Sequence, residues 1–219
     1  MDTQPENMGL NGRRETLRDS TDARAIRTRS DIARALETLA GHGETITVSS
    51  IVREAGISRG TFYTHYSNLE ELAVEFQADI VHLLAGAERD EAHLSPTMST
   101  AQRRETIRVA LREVVRHYGR YRPFYTAAFG VPIPQAAATA RVEALAGELT
   151  EHMRVDALVP ADINVRIAAL FIAGGWTTII TEWVMGKLDA TEEQVTEHMV
   201  NLAPQWLYLL KPAGGDRTG

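Results

Sequence analysis

Residues 47–72 read TVSSIVREAGISRGTFYTHYSNLEEL, and this stretch decides the fold. Thr47 is a good N-cap, because its hydroxyl can accept from an unpaired N–H of a first turn, and it opens a helix predicted over about residues 48–55. Gly56 follows Ala55 at a sharp turn, where a residue without Cβ can take φ > 0. Ser58 caps a further helix over about residues 58–65. Ile51, Val52, Ala55, Ile57 and Phe62 are spaced to close a small core between these two helices. Ser58, Arg59, Gly60, Thr61, Tyr63 and His65 are then left for an outer face. A helix N-terminus carries unpaired N–H groups and suits phosphate, and Gly60 lets the backbone come close. Arg59 can read guanine through two donors, and Thr61 or Tyr63 can touch a thymine methyl or a phosphate. His65 stands where it can meet a phosphate, while Thr47 and Ser49 start a helix that would cross the nucleic-acid backbone. The pattern predicts a helix-turn-helix surface for the major groove.

Outward from this stretch the chain reads as helices throughout. On the N-terminal side, Ile26, Ile32, Ala35, Leu36 and Leu39 give one apolar stripe, predicting a helix over about residues 20–42 that Gly41 and Gly43 end. Residues 1–20 are polar, with Pro5, Gly9 and Gly12, and read as a disordered arm. On the C-terminal side a fourth helix begins near Asn68, where Ser67 with Glu70 and Asn68 with Glu71 read as alternative capping boxes between which the sequence does not choose, and runs to about Glu91. Ser95-Pro96 breaks the chain. Helices follow over about residues 101–121, 135–155, 161–186 and 191–211, with a short segment from Pro123 to Gly130 and a loop at Pro132 and Pro134. Pro204 should kink or split the last of these, because it removes a donor and clashes one turn back. No segment alternates like a strand, so the fold class is all-α. The expected organisation is a disordered arm (1–20), a helix-turn-helix unit (21–70), a larger helical body (71–211) and a disordered tail (212–219), with a long helix shared between unit and body.

Composition bounds the function. The 219 residues are 44% apolar and contain no cysteine, which excludes disulfides and thiolate metal sites. The formal net charge of −6 is unevenly spread. Residues 1–66 hold nine arginines against nine acids, and the remainder holds 14 bases against 20 acids. Arg13, Arg14, Arg18, Arg24, Arg27, Arg29 and Arg34 give a locally positive arm before and along the first helix, so one face can attract phosphate while an acidic body keeps the protein soluble. No secretory apolar segment opens the chain, and no apolar run reaches the roughly 18 residues of a membrane span. Ile163 to Met185 is the longest candidate, interrupted by Arg166, Gly174, Gly175 and Glu182. The expectation is a cytoplasmic protein that avoids membranes. The seven histidines show no H-x-x-x-H spacing, and GxSxG, a P-loop and a dinucleotide fingerprint are all missing. The sequence therefore predicts a protein that is not an enzyme, with no metal site and no cofactor.

AGISRGTFYTHYSNLEEL resembles the recognition segment of the TetR family of bacterial transcriptional regulators. Ala55-Gly56, Ser58, Gly60-Thr61-Phe62-Tyr63, Tyr66 and Glu70-Glu71-Leu72 carry the likeness, which extends over about residues 22–72. Elsewhere only length, helical character and helix count agree. Two positions depart from the family pattern. Leu69 stands where a phosphate-contacting lysine is usual, and Val52 where alanine is usual. The resemblance implies a homodimer on double-stranded operator DNA, with Arg24 and Arg27 joining the contacts named above. It implies a dimer interface from the last two long helices, here Ala168, Ile172, Gly175, Ile179, Trp183, Val195, Met199, Leu202 and Trp206. It also implies a cavity for a small apolar or aromatic effector. His117, Tyr118, Tyr121, Phe124, Tyr125, Phe129, Met153 and Trp176 are the expected lining, and His152 is a further possibility. The expected function is a sequence-specific DNA-binding regulator, a repressor released by that effector. A different expectation is a helical dimeric sensor acting through protein partners, with DNA binding weakened by Leu69.

Overall fold

The structure, a computed structural model, describes residues 8–42, 45–77, 98–130, 135–155 and 159–208. Every regular element among them is helical, so the protein is all-α. The chain divides into two compact units, Met1–Leu69 and Glu70–Gly219. The expected continuation of the fourth helix beyond residue 77, the break at Ser95-Pro96, the Pro132–Pro134 loop and the 212–219 tail lie outside the described residues.

The first unit holds α1 (Met8–His42), α2 (Val48–Ala55) and α3 (Arg59–His65). Helix α1 starts twelve residues before the expected point. Arg13 to Arg18 are mostly good helix formers with no proline among them, and polarity alone does not oppose a helix. Helix α2 is capped reciprocally: Ser50 N–H donates to Thr47 Oγ1 (3.0 Å) and Thr47 N–H donates to Ser50 Oγ (2.9 Å). It ends at Gly56, whose φ of 67° is left-handed. There Gly56 N–H donates to Arg53 O (3.3 Å) and Ile57 N–H to Val52 O (3.0 Å), the paired bonds of a Schellman turn. Thr61 N–H then donates to Ser58 Oγ (2.9 Å) to cap α3. Ile32, Leu36 and Leu39 of α1 are buried, as are Ile46, Ile51, Val52, Phe62 and Tyr66. A fully buried side chain such as Phe62 contributes about 1.5–3 kcal/mol by leaving water. Ala55 and Ile57 are half-buried at the edge of this core.

Helix α4, described over residues 69–77, starts at the last residue of the first unit and in the second buries Leu72 and Ala73. Helix α5 (Thr100–Arg120) opens on a capping box between Ser99 and Gln102 and packs on α9 (Glu192–Leu202). The short α6 (Arg122–Phe129) starts at Pro123 in its first turn, as expected of proline. Helix α7 (Gln135–Val155) packs on α8 (Val165–Val184), and buried Ala146, Ala169 and Ala173 let the two approach closely. Arg122 closes the C-terminal end of α8. Its Nε donates to Val184 O (3.0 Å) and its Nη2 to Trp183 O (2.9 Å), beside Thr126 Oγ1 on Val184 O (3.3 Å) and Gly186 N–H on Trp183 O (3.0 Å). Helix α9 ends at Ala203. Pro204 splits the predicted helix, and Gln205–Leu207 continue as one 3-10 turn.

By length and composition α8 could cross a membrane, with 20 residues and a mean hydropathy of 1.4, although only a third of its most apolar stretch is buried. Of the interruptions expected from the sequence, Gly174 and Gly175 lie within the helix, while Arg166 and Glu182 sit near its two ends and are paired, with Glu143 and Lys187 respectively. Ile167 (66% exposed) and Phe171 (71%) leave one face of α8 bare.

Gly56→Ala puts a Cβ on a left-handed backbone, which costs about 1–2 kcal/mol. Chemical denaturation should show that loss in the first unit. An unchanged midpoint would mean the turn does not require glycine.

Candidate nucleic-acid interface

The caps and the Gly56 turn place one edge of the first unit in solvent. Ser58, Arg59, Gly60, Tyr63 and Thr64 of the α3 segment are exposed, with Thr61 and His65 half-buried behind them. Thr47 and Ser49 are exposed at the start of α2, and Arg24 and Arg27 are exposed on α1. Tyr63 is 51% exposed, yet its ring meets Phe62 edge-on at 5.5 Å, so the core holds its direction. Gly60 is informative for what does not crowd it. A Cβ there would meet only Ser58 Oγ, at 3.6 Å, so packing within the chain has no need of glycine at this position.

Between α1 and α3 lies an open depression of about 390 Å³, with Arg24, Arg27 and Thr28 on one side and Thr61, Thr64 and His65 on the other. Asp31 also lines it, but Arg34 engages that carboxylate at 2.5 Å. The two guanidiniums therefore leave the depression positive, and Arg27 Nε is steadied by Ala23 O (3.1 Å). Thr28 and Thr64 were missed in the sequence reading. Spacing of one turn from Arg24 and from Gly60 was the available signal. Ser58 and Thr47 use their side chains to cap their own helices, so they position this surface as well as line it. Leu69 is half-buried at the first turn of α4 and brings no charge.

In the second unit, six of the residues expected to line an effector cavity come together. His117, Tyr118, Tyr121, Phe124, Tyr125 and Phe129 form a continuous set of ring contacts, from 4.4 Å between Tyr118 and Tyr125 to 5.8 Å between His117 and Tyr118. Tyr118, Phe124, Tyr125 and Phe129 are buried, and so is Met153. Trp176 is half-buried on α8, and among the described residues no ring contact ties it to the cluster. The side chain of His152 lies outside the described residues. Phe76 of α4 was missed. It touches His117, Tyr121 and Phe124 at 5.0, 4.9 and 5.8 Å and joins α4 to the cluster. The residues expected at a dimer interface differ in exposure. Ile172, Trp183, Val195 and Met199 are buried within the single chain, where they fill its own core. Ala168, Ile179 and Trp206 are half-buried, and Gly175 and Leu202 (66%) are exposed.

His117 carries a pH dependence. Burial, then the nearby Arg120 charge, lowers its pKa from 6.5 to about 4, and its Nε2 lies 2.7 Å from Tyr125 Oη. The unfolded chain takes up this proton near pH 6.5 and the folded chain only near 4. Between those values the unfolded state holds more protons, so stability falls as pH drops, by at most about 1.4 kcal/mol per pH unit. Denaturation of His117→Phe across this window should show a shallower decline than the parent. An identical decline would remove His117 as its source.

Comparison with known proteins follows the same division. Residues 30–76 match the family described as bacterial regulatory proteins, tetR family. No functionally curated protein matches the chain. Among solved structures, a TetR-family transcriptional regulator from Syntrophomonas wolfei str. Goettingen aligns over 87% of this chain and 100% of its own, at 18% identity and a TM-score of 0.57. FadR from Thermus thermophilus, a TetR-family transcriptional repressor in complex with lauroyl-CoA, aligns over 86% and 100%, at 21% identity and a TM-score of 0.57. The dihydroxyacetone kinase operon activator DhaS aligns over 81% and 94%, at 21% identity and a TM-score of 0.50. At these identities the likeness is one of fold. The turn at Gly56 and the exposed edge of α3 both fall within residues 30–76, the segment that matches the TetR family of bacterial regulators, and beyond that segment the likeness is one of fold.

Proposed function

We propose that this DNA-binding transcriptional regulator is a cytoplasmic, homodimeric repressor that leaves its operator when a small effector binds the second unit. The observation that carries the DNA reading is the exposed edge of α3, with glycine at position 60 where the chain's own packing does not ask for it. Such a glycine suits close approach to a phosphate backbone. Arg59 and Tyr63 take the base edges, while Arg24 and Arg27 take phosphates beside the α1–α3 depression. Two such units address successive major grooves about 34 Å apart.

The bare face of α8 supports dimerisation. Ile167, Phe171 and Gly175 follow one another along it, and a Cβ at Gly174 or Gly175 would meet nothing within 4 Å. A second copy of the helix can therefore come close. Ala168, Ile179, Leu202 and Trp206 remain with this surface in the proposal. The repressor sense draws support from the T. thermophilus neighbour, which is a repressor with a bound small molecule. An effector that favours one of two conformations shifts the population between them, and the boundary between the units falls in the first turn of α4.

Fluorescence anisotropy with the gene's own upstream DNA and a scrambled duplex at about 150 mM salt tests this reading, with specific preference expected at 10³-fold or more. Tyr63→Ala should cost about 1–3 kcal/mol of specific binding. Gly60→Ala should weaken binding without lowering the unfolding midpoint. Equal, weak binding of the parent to both duplexes would sink the operator reading. Phe171→Asp should shift the protein from dimer to monomer in sedimentation, and a variant that stays dimeric would exclude this face.

A further inference from the structure

Arg141, on α7, is 5% exposed, and its guanidinium stands 4.0 Å from the centroid of the Phe129 ring. Its Nε and Nη1 are buried and have no hydrogen-bond partner among the described residues. Arg103, 1% exposed, also has an Nε without a hydrogen-bond partner, but its Nη2 donates to Leu207 O (3.4 Å). Arg108 is paired with Glu197 and Glu105, and Arg122 donates to two carbonyls. A buried guanidinium is costly to leave unpaired, because it has lost water and gained nothing in exchange. Two groups feel its charge: the buried phenol of Tyr118 and the carboxylate of Glu70. Glu70 Oε1 is itself buried and lacks a hydrogen-bond partner. A donor and an acceptor of opposite charge are thus enclosed near each other without meeting. Burial pulls the Arg141 pKa down while Tyr118 and Glu70 work against it, and a guanidinium keeps its charge under such conditions.

We infer that Arg141 is the seat of an acidic group on the effector: a small amphipathic anion, carboxylate or phosphate ester, whose apolar part lies against the Phe129 side of the aromatic cluster. The inference rests on the effector-responsive reading above. An anion supplies the acceptors that Nε and Nη1 lack, through charge-assisted hydrogen bonds that water matches less well. The Phe129 ring lies against the guanidinium carbon, while Nε and Nη1 have no hydrogen-bond partner. Glu70 repels the incoming anion and attracts Arg141, so the effector competes with Glu70 for one cation. Glu70 is also the first residue of the second unit, directly after Leu69. The competition therefore takes place at the helix that leads to the DNA-reading unit.

The test uses three probes of one chain length, decanoate, decyl phosphate and neutral 1-decanol, below their aggregation limits, with calorimetric binding and unfolding midpoint as readouts. At least one anion should bind about tenfold or more tighter than the alcohol. Arg141→Met, which keeps an apolar stem, should abolish that preference, and Glu70→Gln should strengthen anion binding. The better of the two anions tells carboxylate from phosphate. Equal binding of alcohol and anions, no binding of either anion, or a preference that survives Arg141→Met overturns the inference. If Arg141→Met fails to fold, the double variant Glu70→Gln/Arg141→Met removes both buried charges and is read in the same way. Operator release by decanol that is unaffected in Arg141→Met would sink the anion seat and leave effector response standing. Anion binding that needs Arg141 but does not change operator affinity would sink effector response and leave the seat.

Discussion

The left-handed backbone of Gly56 is the constraint on which the DNA-facing surface depends. With φ at 67° the chain reverses within two residues, and Ile57 N–H reaches back to Val52 O. The reversal puts Phe62 into a core with Ile51 and Leu36 while Tyr63, one residue on, remains outside. Helix α3 has only seven residues, too short to persist without help. Its persistence comes from the Ser58 cap at one end and from burial of Phe62 and Tyr66 on its inner face. The same few contacts that make the helix possible fix which side chains it presents.

Much of this was legible in the sequence because it is local. Caps at Thr47 and Ser58, a glycine after Ala55, the Pro204 break and the bounds of α7 follow from rules acting over four or five residues. The start of α1 was not legible, since a polar segment satisfies helix and coil alike when no cap marks the change. The burial of Ile172, Trp183, Val195 and Met199 within the chain was hidden for a different reason. Periodicity says that a face is apolar, but it does not say whether that face meets the same chain or another copy. Arg141 and Phe76 were hidden for the same reason. An arginine in an amphipathic helix reads as solvated, and only the packing of α6 against its neighbours shows Phe129 lying over it.

The chain separates two electrostatic tasks. Its excess acid lies beyond residue 66, and its first 66 residues are neutral in sum yet uneven in place, with arginines concentrated along α1. Acidic surface disfavours DNA contact by all but the arginine-bearing edge, which lowers affinity for random sequence more than for an operator that fits α3. Leu69 pushes in the same direction. In the proposed dimer, one fewer phosphate contact per subunit would flatten the slope of log K against log salt by roughly 0.9. Under the proposed reading, a larger share of the binding then rests on the Arg59–Tyr63 edge. A regulator built this way gives up some strength on every duplex and keeps more of its discrimination as salt rises.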